Sequence, residues 1–153
     1  MTSLSNQFQD SLVSDPAWLS VQVPPSQIDI MLGDKEMTEM ITVTESKMSV
    51  VSCVTRFSNP APNISWKLGN KILPSYNQTD KAEVTAANKV RSESWLKQEF
   101  SQENTGELLS CVVTHPAYTD QSHQAAVHAT LDVLCESLYN HYLQIRAIIP
   151  GIM

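Results

Sequence analysis

From about residue 17 to residue 134 the apolar residues come in short alternating runs, broken by Pro, Gly, Asn and Asp. A period of two places successive side chains on opposite faces of a strand. The pattern predicts strands over 17–23, 27–32, 39–44, 47–57, 63–68, 71–73, 82–86, 93–100, 107–114 and 124–134. The breaks carry turn chemistry: Pro24-Pro25, Asn59-Pro60-Ala61-Pro62, Gly69-Asn70, and the stretches 74–80, 102–106 and 116–120. So many short strands with no helical pattern between them predict an all-β antiparallel sandwich or barrel rather than a βαβ fold.

The ends differ from this pattern. Residues 1–16 are polar and read as a disordered segment. Residues 135–153 turn aromatic and aliphatic, with Leu138, Tyr142 and Ile145 at helical spacing, which predicts a short helix. Glu136, His141 and Arg146 count against a membrane span there, and no run of 18 apolar residues occurs anywhere in the chain.

Cys53 and Cys111 each fall in the middle of a predicted strand, 58 residues apart, and Trp66 lies on the strand after the first of them. Cys, then Trp, then Cys on a late strand is the signature of the immunoglobulin sandwich, in which a disulfide joins the two sheets beside a buried indole. The competing reading is a pair of buried thiols in a cytosolic core. With both cysteines inward, alternation also sends Val51, Thr55 and Phe57 inward on one strand and Leu109 and Val113 on the other. On the tryptophan strand Ile64 and Leu68 join Trp66 in the core, while Asn63, Ser65 and Lys67 face out. Leu96, Gln98 and Phe100 form the inward set of 93–100, leaving Trp95 as an outward aromatic and a candidate contact anchor.

Ten Lys and Arg against sixteen Asp and Glu give the 153-residue chain a net charge of −6. That balance argues against a nucleic-acid surface. No catalytic set presents itself. His115, His123, His128 and His141 lack metal-ligand spacing, there is no nucleophile elbow or phosphate loop, and no cofactor or small-molecule substrate is implied. Cys135, the odd cysteine, has no base implied beside it and reads as an end-of-domain thiol. Two glycosylation acceptor motifs occur, Asn63-Ile64-Ser65 and Asn77-Gln78-Thr79. Strand parity turns Asn63 to solvent and turn chemistry puts Asn77 in a loop, so both are expected to carry glycans in a secreted domain.

Cys111-Val112-Val113-Thr114-His115-Pro116-Ala117 resembles a stretch of the second immunoglobulin domain (C2-set) of nectin-like and synaptic cell adhesion molecules and the related nephrin and irregular-chiasm group. The turn Glu103-Asn104-Thr105-Gly106 and the Pro24-Pro25 linker resemble the same domains. Leu109 stands where many immunoglobulin domains have a corner tyrosine, and Asn104 where an aspartate is common. The resemblance implies a C2-set domain over 26–134. Residues 17–25 then read as the remnant of a preceding domain's last strand and its linker, and residues 135–153 as a tail outside the family. It further implies a piece of a multidomain receptor on the extracellular side of the plasma membrane. Its partners are other cell-surface immunoglobulin-superfamily proteins, homophilic or heterophilic. An immune-type ligand and an intracellular structural immunoglobulin domain are the alternatives.

Overall fold

The computed structural model describes residues 15–85, 88–119, 122–137 and 143–144. Among the described residues ten strands form in chain order: β1 (Gln27–Leu32), β2 (Lys35–Glu36), β3 (Met40–Thr44), β4 (Met48–Ser58), β5 (Asn63–Leu68), β6 (Lys71–Ile72), β7 (Gln78–Val84), β8 (Val90–Glu99), β9 (Leu108–Thr114) and β10 (Gln124–Leu134). They assemble into two five-stranded sheets, β2-β1-β4-β8-β7 and β3-β10-β9-β5-β6. All neighbours are antiparallel except β3, which runs parallel to β10 with Ile41 opposite Leu131 and Val43 opposite Val133. The chain thus changes sheet between Glu36 and Met40. The expected all-β immunoglobulin-like sandwich is the fold observed.

The facing surfaces close on a core of Ile30, Ile41, Val51, Leu96, Phe100, Leu109, Val113 and Leu131 around the disulfide and Trp66. Alternation produces it. On β4 Val51, Cys53 and Thr55 point inward and are fully buried, and Leu109, Cys111 and Val113 do the same on β9. The end of the core nearest β7 is polar. Thr55 Oγ1 donates to the Ser92 carbonyl at 3.4 Å and Ser58 Oγ to the Val90 carbonyl at 3.3 Å. Each hydroxyl is buried with a backbone acceptor, as burial demands.

Three expectations are corrected. Phe57 is not in the core but 48 % exposed. Between Thr55 and Ser58, β4 carries one residue more than β8, and Phe57 takes φ 61° to absorb it. That bulge turns the ring outward, where Lys89 Nζ sits 5.6 Å from its centroid. The strand expected over 17–23 is absent. Only Val23 pairs, in an isolated bridge to Asn59, and Trp18 is 96 % exposed because no sheet lies beside it. The strand expected over 82–86 runs instead from Gln78 to Val84. It is an edge strand exposed on both faces, so its polar start hides the alternation.

Of the expected tail helix, residues 136–137 and 143–144 are helical. Leu138, Tyr142 and Ile145, which carried that expectation, lie outside the described residues, as do residues 1–14 of the disordered segment expected over 1–16. Among the described residues no helix is long and apolar enough to cross a membrane.

Candidate recognition surface

Cys53 and Cys111 are bonded across the sheets with their Cα atoms 6.2 Å apart. Cys111 lies in register between Trp66 on β5 and Val127 on β10, which sets the indole directly beside the bridge. Trp66 is 1 % exposed, and its Nε1 donates to Ser94 Oγ at 3.1 Å, satisfying the polar end of a buried aromatic. The three residues that the alternating pattern assigned to the core are therefore brought together there.

The two acceptor asparagines stand apart. Asn63 opens β5 and is exposed, as parity requires. Asn77 closes a single 3₁₀ turn, Ser75–Asn77, rather than lying in an open loop. It is half-buried, and its Nδ2 donates to Gln98 Oε1 at 2.8 Å. Glycan attachment replaces one of the two Nδ2 hydrogens, so one remains for Gln98.

His115 is buried, and its ring holds two loops together. The Ala117 amide donates to Nδ1 at 3.1 Å, so the proton sits on Nε2, which donates to the Pro60 carbonyl at 3.1 Å. The spacing of His115 from the other histidines, which excludes a metal site, says nothing of this role. Its place one residue past β9, before Pro116, was the signal that it caps a strand end. Cys135 follows β10 immediately and is half-buried, with Sγ 3.3 Å from Ser137 Oγ.

Residues 36–122 match the model of the CD80-like C2-set immunoglobulin domains. The chain belongs to this family. No curated protein matches the sequence. Many solved structures resemble the domain, Rst D1-D2 and a nectin-like ectodomain among them. Rst D1-D2 is 22 % identical with a TM-score of 0.62, over 74 % of this chain and 51 % of that one. The full ectodomain (Ig1–Ig3) of mouse nectin-like molecule 4 is 17 % identical with a TM-score of 0.62, over 76 % of this chain and 36 % of that one. At these identities the likeness is one of fold. The C2-set chain spans about half the length of the first structure and about a third of the second.

What this C2-set domain can offer a partner lies on its sheet faces. The outer face of the first sheet carries Trp95, half-buried, above a shallow cleft of about 290 Å³ lined by Gly33, Asp34, Val50, Ser52, Glu93 and Trp95. Val50 and Met48 are exposed beside it. The outer face of the second sheet mixes polar side chains such as Ser65, Lys67 and Ser110 with the exposed apolar Leu108 and Met40, and Asn63 stands at one end of it. A flat face offering one aromatic and a few apolar side chains suits protein recognition.

Proposed function

We propose that the chain is an extracellular immunoglobulin-like domain of a cell-surface adhesion or recognition receptor, mediating or spacing protein–protein contacts between cells. The observation that carries this reading is the inter-sheet disulfide in a C2-set sandwich, since such bonds persist in oxidising compartments. The heptapeptide from Cys111 to Ala117 favours the position of a second domain, spanning 26–134. The exposed lead-in over 17–25, with Trp18 and Leu19 bare, is what the last strand of a preceding domain looks like without its sheet. Asn63 and Asn77 are the glycan sites, and residues 135–153 form a tail outside the domain. The partners are other immunoglobulin-superfamily proteins of the cell surface, in homophilic or heterophilic contact.

The test is to secrete the chain from mammalian cells behind an added signal peptide and display it on beads against a panel of cell-surface ectodomains that includes adhesion and immune receptors. Glycosylated, disulfide-bonded protein that captures an adhesion-type immunoglobulin ectodomain supports the reading. Protein that is retained, unglycosylated and reduced, or that captures immune receptors alone, overturns it in favour of one of the two alternatives.

A further inference from the structure

The residues of β8 that face away from the core are Arg91, Glu93, Trp95, Lys97 and Glu99, alternating with Ser92, Ser94, Leu96 and Gln98. Their order is cation, anion, aromatic, cation, anion. Reversing that order about Trp95 inverts every sign. When a second β8 is laid antiparallel across the first with the two tryptophans facing, Glu93 meets Lys97 and Arg91 meets Glu99, and each pairing occurs twice. A strand that matches its own reverse is what an isologous two-fold contact requires of the strand crossed by its axis.

We propose that the outer face of the first sheet docks a second copy of this chain, about a two-fold axis through Trp95 that lies in the interface and runs across the strands. The proposal deepens the recognition reading above and rests on it, naming the partner at that face. Four observations support it. Lys97 and Glu99 are exposed and have no ion pair among the described residues, whereas Arg91 Nη1 already lies 3.0 Å from Glu93 Oε2. The row through Trp95 is Met31, Ser52, Trp95 and Thr79, free of charge, so the axis crosses an uncharged strip. Val50, 43 % exposed, extends the apolar area beside the indole. The cleft under Trp95 leaves room for the two rings to stack with an offset, the arrangement aromatic pairs prefer.

The face also sets the strength of the contact. Four strands about 4.8 Å apart and a β8 of this length span roughly 20 by 30 Å, below the ~800 Å² per partner of a standard stable complex. The dimer is therefore weak in dilute solution and is favoured where copies are held at high local concentration.

The experiment is sedimentation velocity on the secreted full chain over a concentration series, with interchain disulfides excluded by non-reducing electrophoresis. The wild-type chain should show a concentration-dependent dimer. Trp95→Ser should abolish it. Lys97→Glu alone and Glu93→Lys alone should each weaken it by about tenfold or more, because like charges then face each other twice. Mixing those two variants should restore association. The unaltered Glu93 of the first variant then meets the unaltered Lys97 of the second, and the two substituted side chains, now of opposite charge, meet each other. Restoration on mixing cannot come from misfolded material. A chain that stays monomeric throughout, a dimer indifferent to Trp95→Ser, or single variants that do not recover on mixing would each overturn the proposal. Bead capture of other receptors is read separately, so loss of self-docking leaves the recognition reading standing.

Discussion

The indole N–H of Trp66 and the hydroxyl of Ser94 meet across the gap between the two sheets, 3.1 Å apart, with both residues almost wholly buried. One hydrogen bond thus ties β5 to β8 beside the disulfide that ties β9 to β4. Ser94→Ala removes the acceptor and leaves the Trp66 donor buried without a partner, which costs about 1–3 kcal/mol. Trp66→Phe removes the donor as well, so combining it with Ser94→Ala should add little beyond Trp66→Phe alone. Urea unfolding of the four proteins under oxidising conditions measures both effects, and strict additivity would show that the bond contributes nothing.

The disulfide closes a loop of 58 residues. In the chain-entropy estimate a cross-link of that span contributes about 4 kcal/mol, a large part of the stability of a single domain. Reduction, or paired Cys53→Ala and Cys111→Ala substitution, should lower the urea midpoint by the corresponding amount while Cys135→Ser leaves it unchanged. Peptide mapping without reductant should recover the Cys53–Cys111 link.

His115, 1 % exposed, is held as the neutral Nε2–H tautomer by one donor and one acceptor of the backbone. Long-range nitrogen–proton correlation spectra should show that tautomer. His115→Ala leaves the Pro60 carbonyl and the Ala117 amide without their partner and should cost about 2 kcal/mol or more. The chemical-shift changes should be confined to residues 58–62 and 114–118.

Lys81 lies in ion-pair contact with Glu83 and, by hydrogen bond first and charge second, holds its carboxyl below the usual value. A lowered folded-state pKa adds stability that is present above the unfolded-state value and is lost as pH falls through the folded one. Both side chains are exposed, so solvent screens the pair. Lys81→Ala should move the Glu83 titration seen by NMR up toward the ordinary carboxylate range, Arg91 still holding it down in part, with no detectable change in the urea midpoint at neutral pH.

The strands bounded on both sides by turn residues were legible to the residue: 27–32, 63–68 and 124–134 all form as the alternation predicts. Cys53, Trp66 and Cys111 were legible for the same reason, because one buried face gives a clean period of two. Phe57 was not, since a bulge is defined by the partner strand and leaves no mark in the local pattern. Gln78 to Lys81 were missed because an edge strand exposed on both sides shows no alternation. Asn104, where an aspartate is common, has a reason visible only in three dimensions. Its side-chain oxygen accepts from the Ser101 amide at 2.9 Å while its Nδ2 donates to Glu107 Oε2 at 2.9 Å, and a carboxylate could not donate to Glu107. Trp95 was legible as an outward residue. The meaning of its neighbours depends on a whole sheet face, which no single run of residues displays.

The extra residue at Phe57 has an effect beyond its own side chain. It sets Asn59 where its main chain exchanges two hydrogen bonds with Val23, at 2.7 and 2.8 Å, while its Nδ2 donates to the Val21 carbonyl at 2.7 Å. Residues 21–23 are thereby clamped to the sandwich at three points. An irregularity in β4 thus decides where residues 21–23 are anchored on the sandwich.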